Sequence, residues 1–411
     1  MPKIAGIILA LAALCVHAAD ERLLQEAAGA QPGVIQTLKD LVAIESGSAN
    51  VSGLVKMADY VEARLKAAGA QTERLKVTRG PGGMIVKATF AGTGKARILL
   101  MGHLDTVYPE GILASQPIRQ DGNRLYGPGI ADDKGGLAVI LHTVELLKVT
   151  GWHDYARLTV VMNPDEEIGS IGSGELIARL AAEHDYVLSC EPTAAKAVAK
   201  QEGLLLGAAG TATVTMDVLG RSAHAGVVPE LGRNALYELS YQILQTRDVA
   251  KSVSGSQLNW TFSNAGLVRN QIPEKAQATA DVRTFERDAA ERLLAALKSK
   301  VGEGKLVPDT TTTVTMVVGR PPFAGDERSR ALAQKAKAIY AELDNRPLTL
   351  TPMTGGATDA GYASRSGKAV VLESFGLAGF GYHARDEYVE IDSIVPRLYL
   401  MQRLLREITR P

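Results

Sequence analysis

The chain has 411 residues, room for two or three domains with well-developed cores. Lysine plus arginine and aspartate plus glutamate both total 45, so the formal net charge is zero, and aromatic residues make up 5%. A charge-balanced, aromatic-poor chain offers neither an electrostatic footprint nor stacking platforms, which argues against nucleic acid and anionic membrane as partners.

Lys3 precedes the apolar run Ile4–Val16, and the triplets Val16-His17-Ala18 and His17-Ala18-Ala19 suit cleavage near Ala18. This is the pattern of a secretory signal over 1–18, too short to span a bilayer, and it predicts a secreted or periplasmic protein. Removing it takes away Cys15 and leaves Cys190 alone, so no intramolecular disulfide is expected. Apolar periodicity then predicts helices at 33–45, 52–69, 135–149 and 171–182, with strands at 97–102, 157–163 and 185–190. Short apolar strands separated by amphipathic helices point to an α/β fold with a mostly parallel sheet covered on both faces. Between 209 and 320 the pattern changes to half-solvated alternation, as in Thr211-Ala-Thr-Val-Thr-Met-Asp-Val. Strands near 211–218, 257–268, 275–285 and 311–319 and helices at 232–247 and 287–301 follow the order β-α-β-β-α-β, a ferredoxin-like arrangement. After Pro321-Pro322 helices at 326–343 and 391–408 and a strand near 368–373 resume the first pattern. The predicted division is a catalytic domain in two parts, 19–208 and 321–411, with a second domain, 209–320, inserted as a lid.

Five short motifs carry acidic or imidazole side chains where strands should end: Gly-His103-Leu-Asp105, Ala-Asp132-Asp133-Lys, Asp-Glu166-Glu167-Ile, Cys-Glu191-Pro and Gly-Tyr-His383-Ala. In the first, residues i and i+2 share a face of an extended segment, so one can ligate a metal while the other fixes the imidazole tautomer. An aspartate before a helix is ordinarily an N-cap. Two in a row allow one to cap and the other to span two metals, which makes Asp132 the bridging candidate. Glu166 and Glu167 are read as dividing the work, Glu167 on metal and Glu166 free to take a proton. Two zinc ions would then share Asp132, one taking His103 and Glu191, the other Glu167 and His383. Three protein ligands per ion leave an open position, the mark of a catalytic site. His142, His153 and His184 sit in or beside helices without acidic partners and are read as structural or solvent-exposed.

These motifs resemble those of the co-catalytic zinc aminoacylase/carboxypeptidase superfamily, and most of all the bacterial glutamate carboxypeptidases of folate-hydrolysing type. The likeness covers about residues 30 to 411 and is strongest in Leu125–Thr143, Asn163–Ser173, Gly220–Leu236, Gly355–Ala363 and Gly376–Ile391. The resemblance implies the ligand set above, Glu166 as general base, Asp105 orienting His103, and a cis peptide between Asp132 and Asp133. It further implies that His224 stabilises the oxyanion, often across a dimer built through the lid. Asn270 and Arg283 would hold the substrate α-carboxylate; Gly356 and Arg320 are implied substrate contacts, Arg320 for a glutamate side chain. The expected activity is hydrolysis of the amide to a C-terminal amino acid, with glutamate as the favoured residue. A dipeptidase, an N-acyl-amino-acid deacylase, a desuccinylase and a non-catalytic zinc-dependent binding protein are the alternatives. The segment 194–203, with Lys196 and Lys200, departs from the glutamate-specific pattern and leaves the side-chain preference open.

Overall fold

The computed structural model describes residues 18–410; the expected signal segment therefore falls almost wholly outside the described residues. Its core is a six-stranded sheet in the order Gln71–Lys76, Met84–Ala91, Arg157–Asn163, Arg97–His103, Tyr186–Ser189, Val370–Leu372. The last four strands run parallel, and the two at the other edge are antiparallel to their neighbours. Arg97–His103 is buried from Ile98 to His103 and Arg157–Asn163 from Leu158 to Asn163, as strands covered on both faces must be. The helices Glu21–Val42, Val51–Ala67, Lys134–Val149 and Ile394–Ile408 bury Leu38, Met57, Leu137 and Leu398 in one large cluster. Against the opposite side, Gly174–Ala182 and Ala360–Ser364 pack Ile177 and Ala360 onto Leu99, Val161 and Val187. The predicted helices and strands of this part are all present, with two differences. The first helix begins at Glu21 and runs through Pro32, and the antiparallel edge was not foreseen.

A five-stranded sheet of short strands, which the periodicity did not reveal, lies beside the core sheet. Its order is Arg119–Asp121, Arg124–Tyr126, Tyr388–Glu390, Ala378–Phe380, Thr193–Ala194. It joins three stretches far apart in sequence.

Residues 210–318 form a separate antiparallel sheet ordered Ser256–Ala265, Lys275–Thr284, Gly210–Leu219, Thr311–Val318. The helices Ala235–Thr246 and Ala289–Gly302 bury Leu239, Leu293 and Leu297 against Val214, Met216 and Val282 in a core of their own. The chain enters and leaves this sheet side by side: Thr211 N–H donates to Arg320 O at 2.9 Å, and Gly319 N–H to Thr211 O at 2.9 Å. Among the described residues no helix is long and apolar enough to cross a membrane.

Candidate metal centre

Three of the five motifs leave the same edge of the core sheet. His103 ends one parallel strand, Glu166 and Glu167 follow its neighbour, and Glu191 follows the strand on its other side. The carboxyl ends of parallel strands are where open α/β sheets gather their functional side chains. The small sheet supplies the rest: Arg124–Tyr126 leads into the Asp132 loop, and His383 lies between the paired strands Ala378–Phe380 and Tyr388–Glu390. Two glycines permit this crowding. A Cβ on Gly102 would stand 2.6 Å from Asp133 Oδ2, and one on Gly136 2.0 Å from Cys190 O. Asp133, without a side-chain capping bond of its own, instead accepts from His103 N–H at 3.1 Å. The Asp132–Asp133 peptide is cis, as the resemblance implied.

The five predicted ligands come together as two trios sharing Asp132: His103, Asp132 and Glu191, and Asp132, Glu167 and His383. Asp132 Oδ1 lies 3.0 Å from His103 Nε2 and Oδ2 lies 3.2 Å from His383 Nε2. His103 Nε2 is 3.7 Å from Glu191 Oε1, and His383 Nε2 is 3.0 Å from Glu167 Oε2. His103 is buried whereas the His383 side chain is 54% exposed, so the second trio opens to solvent.

Burial opposes ionisation of Asp132, but hydrogen bonds from His103 and His383 hold it below the usual carboxylate range. Burial raises Glu191 well above that range, and Glu167 is raised for the same reason. Hydrogen bonds to Asp132 and Glu167 push His383 up to about 10. Burial works against a charge on His103, yet Glu191, Asp105 and Asp132 raise it. A divalent cation in each trio would balance the same carboxylates. The donor set fits such an ion: imidazole nitrogen and carboxylate oxygen are zinc ligands, and Glu167 Oε1 is buried without a hydrogen-bond partner.

Around the trios lie carboxylates of a different kind. Asp105 accepts from Glu166 N–H at 3.0 Å, Glu167 N–H at 3.1 Å and Ser48 Oγ at 2.7 Å. His103 Nδ1 approaches the Asp105 backbone carbonyl, at 3.0 Å, more closely than the Asp105 carboxylate, at 3.4 Å. Asp105 therefore orients His103 chiefly through its main chain, and its side chain holds the Glu166-Glu167 turn. Glu387, which sequence reasoning missed, is buried and accepts from Gly129 N–H (2.9 Å), Ala131 N–H (2.8 Å), Asp132 N–H (3.0 Å) and Tyr108 Oη (2.7 Å). Tyr108 Oη also lies 2.8 Å from Ala384 O, where it is placed to donate one of these bonds at a time, so the clip ties the Asp132 loop to the His383 loop. Its only sequence signal is a place four residues after His383.

Glu166 sits beside the trios. Arg320 Nη1 lies 2.9 Å from Glu166 Oε1, and Arg320 Nη2 donates to Glu166 O. Burial raises Glu166 to about 8 against the pull of Arg320. Arg320, expected to receive a substrate side chain, is here engaged by the protein's own groups. Its guanidinium is buried, bonded to Glu166 and to Ala357 O at 2.6 Å, and 3.6 Å from Asp359. The pairing strands of 210–318 deliver it there from the end of Thr311–Val318.

The other predicted contacts belong to neither trio. His224 and Asn270 are neighbours: Ala223–His224 pairs with Gln271–Ile272, Ala225 N–H donates to Asn270 O at 2.9 Å, and both residues are exposed. Arg283 forks onto Asp281 at 2.9 and 3.1 Å, two residues away on its own strand. Gly356 is exposed, with its carbonyl taken by Ala209 N–H at 2.8 Å. Lys196 pairs with Asp392 at 2.5 Å. Cys190 is buried, as read. His184 bonds Thr159 Oγ1 at 2.8 Å within the core and His153 is exposed, whereas His142, expected to lack an acidic partner, lies 3.5 Å from Glu145.

The profile of Peptidase family M20/M25/M40 matches residues 99–407. The chain is 44% identical over 390 residues to Carboxypeptidase G2 of Pseudomonas sp. (strain RS-16), covering 95% of this chain and 92% of that protein. It is 27% identical over 393 residues to an acetylornithine deacetylase of Myxococcus xanthus, covering 89% and 94%. In fold it resembles aminopeptidase PepT from Bacillus cereus ATCC 10987, with a TM-score of 0.75 at 20% identity over 92% of this chain and 99% of that one.

Proposed function

The chain belongs to peptidase family M20/M25/M40 and is a metallopeptidase; from that premise we propose a two-zinc carboxypeptidase that releases a C-terminal amino acid, glutamate first, from N-acyl or peptide substrates such as folate-like compounds. What carries the reading is a pair of trios sharing Asp132, with the unshared Glu166 beside them, in a chain 44% identical to a carboxypeptidase. His103, Asp132 and Glu191 would hold one ion and Asp132, Glu167 and His383 the other. Zinc so held supplies a water acidified toward pKa ~7 and a polarised scissile carbonyl.

The chain's own residues do the rest. Arg320 and the Asp105 carboxylate fix Glu166 from both ends, its Oε1 and its N–H. Glu166 Oε2 takes the proton of the attacking water and passes it to the leaving nitrogen. We read 19–208 with 321–411 as the catalytic domain and 209–320 as an inserted ferredoxin-like lid through which the chain dimerises. His224 would reach a partner's site as oxyanion donor, and Asn270, Arg283 and Gly356 would hold the substrate once the lid closes. Arg283 would exchange Asp281 for the α-carboxylate, a bidentate swap that suits a guanidinium. Residues 1–18 would direct secretion or periplasmic export.

A panel of N-acyl amino acids differing only at the C-terminal residue, given to the zinc-loaded mature chain, tests this. Glutamate should give the highest kcat/KM. A preference for apolar C-terminal residues would end the glutamate assignment, and no hydrolysis of any member would end the enzymatic one.

A further inference from the structure

The stretch Gly355–Ala363 brings a second carboxylate to Arg320. Asp359 stands at the start of the short helix Ala360–Ser364, where an aspartate ordinarily caps, but it makes no capping bond. Its side chain, 4% exposed, turns inward instead. Oδ2 accepts from Asn163 Nδ2 at 2.8 Å and Oδ1 from the Ser170 hydroxyl. Both donors are buried, and they bracket the Glu166-Glu167 turn in sequence. Forgoing a cap and burying a charge both cost stability, and the compensation lies on Arg320.

The Arg320 guanidinium is bonded at its tip. Nη1 lies 2.9 Å from Glu166 Oε1 and donates to Ala357 O at 2.6 Å, while Nη2 donates to Glu166 O. Nε is buried without a hydrogen-bond partner. Asp359 Oδ1 is 3.6 Å from it, too long for a hydrogen bond but close for opposite charges away from water. A guanidinium is a rigid planar fork, so a hold on Nε sets the direction of both Nη atoms. The anchor of that hold is firm. Asn163 ends a core strand and also donates to Ser173 Oγ at 3.0 Å. Ser173 Oγ donates to Asp165 at 2.5 Å, and Asp165 accepts from Gly172 N–H at 2.7 Å.

We infer that Asp359 is a positioning residue for the proposed reaction: it fixes Arg320 from the Nε side, so that both Nη atoms stay on Glu166 and keep its carboxylate in place. The inference rests on the reading of Glu166 as the base. A carboxylate that only neutralised Arg320, or only braced the turn through Asn163 and Ser170, would serve the fold. One that orients Arg320 serves turnover, and does so only while the guanidinium is there.

Asp359→Asn removes the charge and little else. Its oxygen can accept from Asn163, and its amide can donate to Ser170 Oγ, which then accepts. With N-benzoyl-glutamate and the zinc-loaded chain, this variant should lower kcat by about ten- to a hundredfold, the cost of a slight misplacement, with KM within about twofold. In an Arg320→Met background the same change should lower kcat by less than about twofold, because residues that act as a unit are not additive. An equal loss in both backgrounds would put Asp359 on the turn rather than on Arg320 and overturn the assignment. A loss confined to KM, or none while Arg320 is present, would do the same. A crystal structure of the Asp359→Asn chain reads the hold without turnover: Arg320 Nη1 should leave hydrogen-bond range of Glu166 Oε1, and an unmoved guanidinium refutes the inference. Should the asparagine variant not fold, Asp359→Ser, with room for water in place of the carboxylate, takes the same measurements. Intact turnover in Glu166→Gln, or no hydrolysis by the unaltered chain, would fail the underlying reading, while the crystal structure still decides whether Asp359 holds Arg320 on Glu166.

Discussion

Replacing Glu387 by glutamine asks whether the proposed metal geometry depends on a carboxylate outside both trios. Its Oε1 accepts from Ala131 and Asp132 N–H and its Oε2 from Gly129 N–H and Tyr108 Oη, at 2.7 to 3.0 Å. Glutamine keeps one acceptor oxygen and turns an amide NH₂ toward the other pair. With the oxygen facing Ala131 and Asp132, the Tyr108 hydroxyl can rotate to accept, but Gly129 N–H meets a donor. One stranded buried N–H costs about 1–3 kcal/mol. Alanine strands the three N–H donors at once, while Tyr108 keeps Ala384 O, and at about 1–3 kcal/mol for each should cost about 3–9 kcal/mol. Against a typical total of about 5–15 kcal/mol the glutamine variant remains folded. The functional loss should fall on metal, because the clip holds Asp132 N–H and, through Tyr108, the His383 loop at Ala384. Changes to such outer partners cost about 10–100-fold in metal affinity. Competition against a calibrated zinc chelator measures that loss, and thermal unfolding of the metal-free protein measures the stability separately. Zinc affinity unchanged in a protein destabilised as calculated would show that Glu387 serves the fold alone.

Glu166→Gln should lower kcat by about 10²–10⁴-fold with zinc content unchanged by elemental analysis; intact turnover would remove Glu166 as base. Arg320→Met should lower kcat and leave KM nearly unchanged if the guanidinium serves Glu166; a rise in KM confined to glutamate substrates would restore its role as a substrate contact. Glu202 pairs with the fully buried Arg397 at 2.9 Å, so Glu202→Gln should cost about 3–5 kcal/mol near neutral pH. Burial opposes the Glu202 charge, but Arg397, Arg346 and Tyr340 hold its pKa below 4.5. That stability is fully present above pH 4.5 and is lost as pH falls through the depressed folded value. Urea unfolding across pH should therefore show the wild-type advantage flat near neutrality and shrinking in acid; an advantage that grows in acid would refute the pairing.

What was legible in the sequence follows from segment length and from how local each interaction is. Arg97–His103 and Arg157–Asn163 are seven-residue strands buried almost throughout, so their apolar runs announced them. Arg124–Tyr126, Ala378–Phe380 and Thr193–Ala194 have three, three and two residues, too few for a period to show, yet their pairing sets the Asp132, His383 and Glu191 loops. Side chains with unusual chemistry were found by type and order, whereas their supports were not. Asp105 was read against its neighbour His103, but its carboxylate holds Glu166 and Glu167, some 61 and 62 residues away. Arg320 stood before two prolines at the end of a half-solvated strand, which reads as surface. Only the side-by-side entry and exit of the 210–318 segment carries it inward.

A physical criterion separates the many acids gathered here better than their number does. Asp105 and Glu387 are each saturated by two or three backbone N–H groups and a hydroxyl. An acid so filled has at most one acceptor position left for a cation; it is a clip that fixes main chain. Asp132, Glu167 and Glu191 accept from no backbone N–H among the described residues and face imidazoles or one another. Glu167 Oε1 is buried with no hydrogen-bond partner and Asp132 has imidazoles alone, a costly state for acids unless a cation shares the site. Glu166 belongs to neither group, with one oxygen on Arg320 and its backbone carbonyl held by the same guanidinium. An acid fixed in place but only half neutralised can exchange a proton without moving, which a saturated clip or a bridging ligand cannot. The assignment of the base therefore rests on the partners of these carboxylates, and a swap of roles between Glu166 and Glu167 would require Arg320 to change sides.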